Sequence, residues 1–353
     1  MFKRAVRVKK YGVKKYSGNA EEICRQIVKD CWNGRYFQTS AGHFCEFWTR
    51  DFGWCTKSLI KLGYEKEVKK TLEYALSIFK KNKKVTTTIS PDGVPFDFPR
   101  YSPDSLAYLI NSIALLKEKD RKELVEKYKD LLNREISRHF KIVFDPKTDL
   151  VKANVSFSSM KDYSKRYSST YDNTMTTFLK NKLAKLKLEN PYKEFDIKNS
   201  IKENLWNGSY FYNDMKKEPI VTGDSNVFPF WTEVFTDKNM TKSAIQSIQK
   251  EGLDKPFPLK YEKGRIQKMI FLDFLNENYE GNSIWAHMAM PYIEVVSKID
   301  RNKAKEYIEK YSELIEKNGN YLEVFDPDGT PFKSAFYYAD EGMLWAANYL
   351  ALQ

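Results

Sequence analysis

"WNGRYF" occupies residues 32–37, and "WNGSYF" returns at 206–211, 174 residues further along. A second pair behaves alike: "VFDP" stands at 143–146 and again at 324–327, a spacing of 181. Both spacings are close to half of the 353 residues. A recurring period is the mark of a structural unit used more than once. Around these repeats, apolar residues recur at helical spacing. Tyr64, Val68, Leu72, Ala75 and Phe79 form one stripe, and Leu124, Tyr128, Leu131, Leu132, Ile136 and Phe140 another. The spacing predicts helices near 20–33, 55–62, 65–82, 103–117, 121–141, 172–188, 194–205, 226–237, 239–251, 284–298, 302–318 and 340–352. Short strand signals, "KVTTTI" and "PIVTG", suit hairpins within loops.

The connections alternate. Links near 63–64, 118–120, 189–193, 238 and 299–301 are tight; those near 34–54, 83–102, 142–171, 206–225, 252–283 and 319–339 are long. Long loops in a compact domain are usually functional. Helical hairpins stacked in order put all the long loops at one end. The first repeat opens long loops one and four, and the second opens three and six. The expected fold is all-α, a closed (α/α)6 barrel of six hairpins with short β-hairpin decorations. It spans 20–353, behind a basic segment at 1–19 that reads as a charged, frayed start.

Composition narrows the function. Hydrophobic residues make up 42%, enough for a large core, and aromatics 15%. The formal net charge is +12, but the lysines are interleaved with glutamates, as in "KEKDRKELVEKYKD", and no nucleic-acid module is recognisable. No apolar run approaches a membrane span, and the first residues lack a signal-peptide h-region. These features read as a cytoplasmic protein without membrane or nucleic-acid partners. Cys24, Cys31, Cys45 and Cys55 form no CxxC pair, and three histidines make a poor zinc set. They read as reduced core residues, with no metal or cofactor expected.

Each long loop carries rings and carboxylates. "FCEFWTRDFGW" (44–54) sets Arg50 and Asp51 among Trp48, Phe52 and Trp54; the second loop offers Asp97 and Asp104; the third has Asp162 and Asp172. Later loops bring Asp224 and Trp231, Glu280 and Trp285, then Glu323. Rings stack on the apolar face of a pyranose, and carboxylates with Arg or Asn satisfy its hydroxyls. Nucleotide, metalloprotease and serine-hydrolase motifs are missing from the sequence. The expected partner is a carbohydrate.

These segments resemble a known group. "FWTRDFGW" looks like the Trp-x-Arg-Asp segment of glucoamylases and the Arg-Asp-Phe segment of neutral and alkaline invertases, which binds the terminal sugar. "SPDSLAYLI" is similar to the invertases' Asp-Ser segment. "STYDNTM" resembles the Asp-Asn segment that supplies the general acid in trehalases and processing α-glucosidases. "YLEVFDPDG", followed by "DEGMLWAANYL", looks like their C-terminal segment, whose Glu is the general base. Together these resemble the six-hairpin glycosidases, from about Trp48 to Leu350. Glucoamylases use Glu as the acid where this chain offers Asp172.

The resemblance implies an inverting, exo-acting glycoside hydrolase with Asp172 as acid and Glu323 as base. Trp48, Arg50, Asp51, Phe52, Asp97, Asp104, Trp231, Glu280 and Trp285 would bind the sugar. Each has a plainer reading. Asp172 and Asp104 sit where helix caps belong; Arg50–Asp51 could be a structural ion pair; the tryptophans could be core. Asp104 is an alternative acid to Asp172 and Glu280 a second candidate base, and His43, His139 and His287 read as structural. A sugar phosphorylase or epimerase, or a non-catalytic glycan-binding barrel, are the alternatives on the same fold.

Overall fold

The computed structural model describes residues 2–264, 279–334 and 337–353, so part of the fifth long loop lies outside the described residues. Twelve helices follow the expected order: α2 (Ala20–Cys31), α3 (Thr49–Lys61), α4 (Glu65–Asn82), α5 (Pro103–Leu115), α6 (Glu118–Val143), α7 (Thr170–Leu186), α8 (Ile197–Leu205), α9 (Gly223–Trp231), α10 (Lys238–Lys250), α11 (Ala286–Ser297), α12 (Arg301–Asn318) and α13 (Ala346–Leu352). A further helix, α1 (Phe2–Tyr11), precedes them where a frayed start was expected. Gly12, at φ 75, donates its N–H to the Val8 carbonyl and ends it.

Two rings result. Helices α3, α5, α7, α9, α11 and α13 pack side by side, and α13 returns to α3 to close the inner ring. Each of α4, α6, α8, α10 and α12 packs outside the inner helix that precedes it, and α2 packs on α13 and α12. Sequence chemistry sorts the rings. Outer helices bury one stripe, as α12 does with Ala304, Tyr307, Tyr311 and Ile315. They also carry side-chain caps: Asn19 with Glu22 on α2, Asp196 on α8, Asp237 on α10 and Asp300 on α12. Inner helices have no such stripe. Every residue from Thr170 to Leu179 on α7 is buried, as a helix surrounded on all sides must be.

The repeats prove to be equivalent corners. In each "WNG" segment the Asn side chain accepts two backbone N–H groups (Arg35 and Tyr36 for Asn33, Ser209 and Tyr210 for Asn207). Gly34 and Gly208 take φ 89 and 96, where a side chain would be strained. Trp32 then bridges Phe37, and Trp206 bridges Phe211.

The strands are two-residue pieces: β1 (Phe47–Trp48), β2 (Thr88–Ile89), β3 (Pro95–Phe96), β4 (Phe144–Asp145), β5 (Leu150–Val151), β6 (Ile284–Trp285) and β7 (Val324–Phe325). They pair antiparallel as β1–β2–β3, β4–β5 and β6–β7, with Trp48 opposite Thr88 and Trp285 opposite Val324. "KVTTTI" supplies β2; "PIVTG" forms no strand. Helix ends also differ from expectation, and α9 stops at Trp231, six residues short of the expected 237. Helix α3 begins six residues early, because β1 delivers the chain straight into it with no side-chain cap to announce the start. Helix α13 begins later, because Asp340–Gly342 is loop, with Gly342 at φ 66.

Gly53 lets α3 approach α5. A Cβ there would lie 2.3 Å from the Tyr108 Cβ. Gly53→Ala should therefore cost about 1–3 kcal/mol by overpacking, read as a lower urea midpoint with an unchanged m-value.

Candidate active site

The long loops surround a half-open cavity of about 170 Å3 at the end of the inner ring. That is room for about a dozen water-sized groups, which matches one hexose. Strand β1 and helix α3 supply Trp48, Arg50, Asp51 and Trp54; the third loop supplies Met160, Asp162 and Tyr163. The fifth loop and α11 supply Tyr261, Tyr279, Glu280, Trp285 and His287, and the last loop Glu323, Tyr337, Met343 and Trp345.

Arg50 forms the floor. It is 5% exposed, with Nε 3.4 Å from Asp104 Oδ2 and NH2 3.7 Å from Asp162 Oδ1. The nearby carboxylates hold it firmly charged against burial. Asp51 accepts a hydrogen bond from Trp345 Nε1 at 3.0 Å. Burial pushes its carboxyl up to about 7, with Arg50 and Trp345 opposing.

Asp162 faces the cavity from the third loop, with its side chain 25% exposed. Burial, opposed by Arg50 and assisted by the charge of Asp104, pushes it up to about 6. Its backbone is clamped on both sides. The N–H groups of Asp162, Tyr163 and Ser164 donate to the Glu280 carboxylate, the first at 2.6 Å. Arg100 donates to the Asp162 carbonyl at 3.4 Å. Glu323 stands beside β7 and receives the Tyr279 hydroxyl at 3.0 Å, the Tyr337 hydroxyl and the Asp340 N–H at 2.9 Å. Burial raises its pKa, with His43 opposing.

Some buried polar atoms of lining residues have no hydrogen-bond partner among the described residues: Trp48 Nε1, Trp54 Nε1 and His287 Nδ1. Buried polar groups are normally hydrogen-bonded. A polyhydroxyl ligand offers the donors and acceptors that such atoms lack. Among the described residues, no group of three or more His, Cys, Asp or Glu could hold a metal ion. No described helix is long and apolar enough to cross a membrane.

Trp48, Arg50, Asp51, Glu280, Trp285 and Glu323 are thus brought together. The other expected residues lie elsewhere. Phe52 is buried against Phe47. Asp97 pairs with Lys84 at 2.5 Å. Trp231 donates to Glu294 at 2.7 Å and lines a separate cavity with Lys57 and Lys61. Asp104 stands behind the wall, accepting Ser102 Oγ at 2.6 Å and the Tyr171 hydroxyl at 2.9 Å. Asp172 is in the first turn of α7, exchanging hydrogen bonds with the N-cap residue Ser169, and does not line the cavity.

Asp162, not Asp172, is the third-loop carboxylate at the cavity. The segment 152–169 has no periodic structure to show which of the two would reach inward. His287, expected to be structural, also reaches the wall, stacked on Trp54 at 4.7 Å. A signal existed for it. "FWTR" before α3 and "IWAH" before α11 place a Trp and then a nitrogen base at the same positions.

Comparison with known proteins adds the fold. No family model matches the chain, and no curated protein does. Solved structures match over nearly all of it. A rhamnosidase from Klebsiella oxytoca with rhamnose bound covers 96% of this chain and 64% of its own, at TM-score 0.64 and 11% identity. The chain shares its fold, a closed ring of helical hairpins. A glycosidase variant in complex with glucose covers 94% of this chain and 95% of its own (TM-score 0.66, 10% identity). A GH63 mannosylglycerate hydrolase from Thermus thermophilus covers 94% and 99% (TM-score 0.61, 12% identity).

Asp51 titrates in a way that can be measured. Its folded pKa lies above the usual carboxylate value, so the folded state binds the extra proton. Stability from this group is full at low pH and is lost as pH rises through about 7. Asp51→Asn mimics the protonated form. Between pH 5 and pH 8 the variant should gain about 2–4 kcal/mol relative to the wild type, measured by denaturant unfolding at each pH.

Proposed function

We propose that the protein is an exo-acting glycoside hydrolase that inverts configuration at the anomeric carbon. One observation carries this: two carboxyl groups from different loops, the partly exposed Asp162 and the buried Glu323, face a one-sugar cavity above a buried arginine. Asp162 acts as the acid. It protonates the glycosidic oxygen as the bond to the anomeric carbon breaks. Glu323 acts as the base, taking a proton from the water that attacks the opposite face. Inversion needs the two carboxyl groups about 6.5–9.5 Å apart, to leave room for that water. Tyr279, Tyr337 and the Asp340 N–H fix the base in place. Arg50 and Asp51 orient the sugar, and Trp48 and Trp285 offer ring faces for its C–H surface.

The related folds bind rhamnose or glucose, or act on mannosylglycerate, so the substrate panel starts from such glycosides. Among the described residues lining the cavity, Arg50 is the cation, and carboxylates already flank it. This favours a neutral leaving group over an organic acid. A phosphorylase would use the acid and a phosphate in place of the base, so the panel is run with and without phosphate.

Asp162→Asn and Glu323→Gln should each lower kcat at least about 100-fold. Asp172→Asn should retain turnover and lose stability. Wild-type turnover in Asp162→Asn or Glu323→Gln would refute the assignment. The profile of kcat/KM against pH should be a bell, since the acid must be protonated and the base ionised. Its alkaline limb should lie near pH 6, where Asp162 loses its proton, and its acid limb above the ordinary carboxylate range. NMR of the first-formed sugar anomer tests inversion.

A further inference from the structure

Glu280 lines the cavity and is 4% exposed, yet its oxygens are already occupied. Oε1 accepts the N–H groups of Asp162 and Tyr163 at 2.6 and 3.0 Å; Oε2 accepts those of Tyr163 and Ser164, both at 3.1 Å. A base must have a free lone pair facing the water it activates. A carboxylate gripping three successive backbone N–H groups is instead a clamp on that backbone. The clamp is charged, and it grips the acid's own N–H.

We propose that Glu280 is the positioning residue of the acid: it fixes the 162–164 backbone and so holds the Asp162 carboxyl where the leaving oxygen must take its proton. This rests on the hydrolase reading above. The surroundings of Asp162 make its placement exacting. Arg50 on α3 and Arg100 on the second loop both favour its ionised form, and Asp104 on α5 opposes them. Asp104 is itself tied to Arg50 and to the Tyr171 hydroxyl. Glu280 reaches in from the fifth loop and holds the backbone of the same residue. On its own side Glu280 faces Asp162 and, more distantly, Lys161, whose ammonium is held by Glu262 at 2.8 Å. Burial and the charge of Asp162 push Glu280 up to about 7, and the backbone donors pull it down. The two carboxyl groups therefore titrate as a pair.

The test is the leaving-group dependence of Glu280→Gln. A misplaced acid slows glycosides that need protonation and spares glycosyl fluorides, whose leaving group needs little help from an acid. Glu280→Gln should therefore lower kcat at least about 10-fold on an alkyl glycoside and leave kcat on the matching glycosyl fluoride within about 2-fold. An equal loss on both substrates would mean a structural role only, and would overturn the proposal. If the Gln variant does not fold, carboxyl 13C NMR on the wild type and Asp162→Asn tests the contact from the other side. The charge of Asp162 raises Glu280, so the Glu280 titration should fall in Asp162→Asn; an unchanged Glu280 titration overturns the proposal. Failure of the hydrolase reading is a separate result, namely Asp162→Asn as active as the wild type.

Discussion

The buried guanidinium of Arg50 is the constraint on which the site depends. Taking a charge out of water costs several kcal/mol unless partners and hydrogen bonds replace the solvent. The partners come from elsewhere in the chain: Asp104 from the first turn of α5, and Asp162 from the third loop. Asp104 in turn holds Tyr171 of α7. One charge thus ties together three consecutive inner helices at the end where the loops emerge. It also sets the chemistry. Without Arg50, burial would drive the Asp162 carboxyl far up; with it, the group stays near 6 and can both hold and release a proton.

The proposed acid and base are each held by groups that a carboxylate fixes in turn. Glu280 holds the acid's loop through three backbone N–H groups. Asp340 accepts the N–H groups of His43 and Phe44 and the Ser40 hydroxyl, pairs with His43 Nδ1 at 3.0 Å, and donates its own N–H to Glu323. Outside it, Glu341 accepts the Lys14 N–H at 2.8 Å and pairs with Arg7. The segment ahead of α2 is therefore fastened to the loop that carries the base. Such contacts are charge-assisted and strong, and they hold irregular chain rigidly where no ladder of regular hydrogen bonds could.

That mode of support explains what could be read from the residues and what could not. The barrel was legible because helices and corners leave local marks: apolar stripes on the outer ring, the alternation of tight and long links, and the two "WNG" turns. That Arg50 lines the cavity was legible because charges among rings are rare. The choice between Asp162 and Asp172 was not, because it depends on Glu280 reaching 118 residues back to grip a peptide backbone. Any residue offers the same N–H, so no side chain in the third loop advertises the contact. Asp172 looked like a catalyst for a local reason that had another cause, since Ser169 and Asp172 form a helix cap. Trp231 and Phe52 show the same limit: ring chemistry suits a sugar and a core equally.

Two inner helices also separate scaffold from chemistry. Helices α3 and α11 begin alike, each with a strand Trp and then a nitrogen base on the first turn facing the cavity. Their electrostatics are opposite. Arg50 is held charged by carboxylates. His287, buried beneath Trp54 and beside Arg50, is held well below its usual pKa and stays neutral. The two helix starts thus set a fixed cation and a neutral imidazole near each other in the lining. Arg50 pairs with Asp162. The imidazole stands next to Trp285, which pairs across to the strand that follows Glu323. The difference comes from what surrounds each group: carboxylates hold Arg50 charged, while burial and Arg50 itself hold His287 neutral. Divergence in those surroundings could redirect the chemistry and leave the barrel as it is.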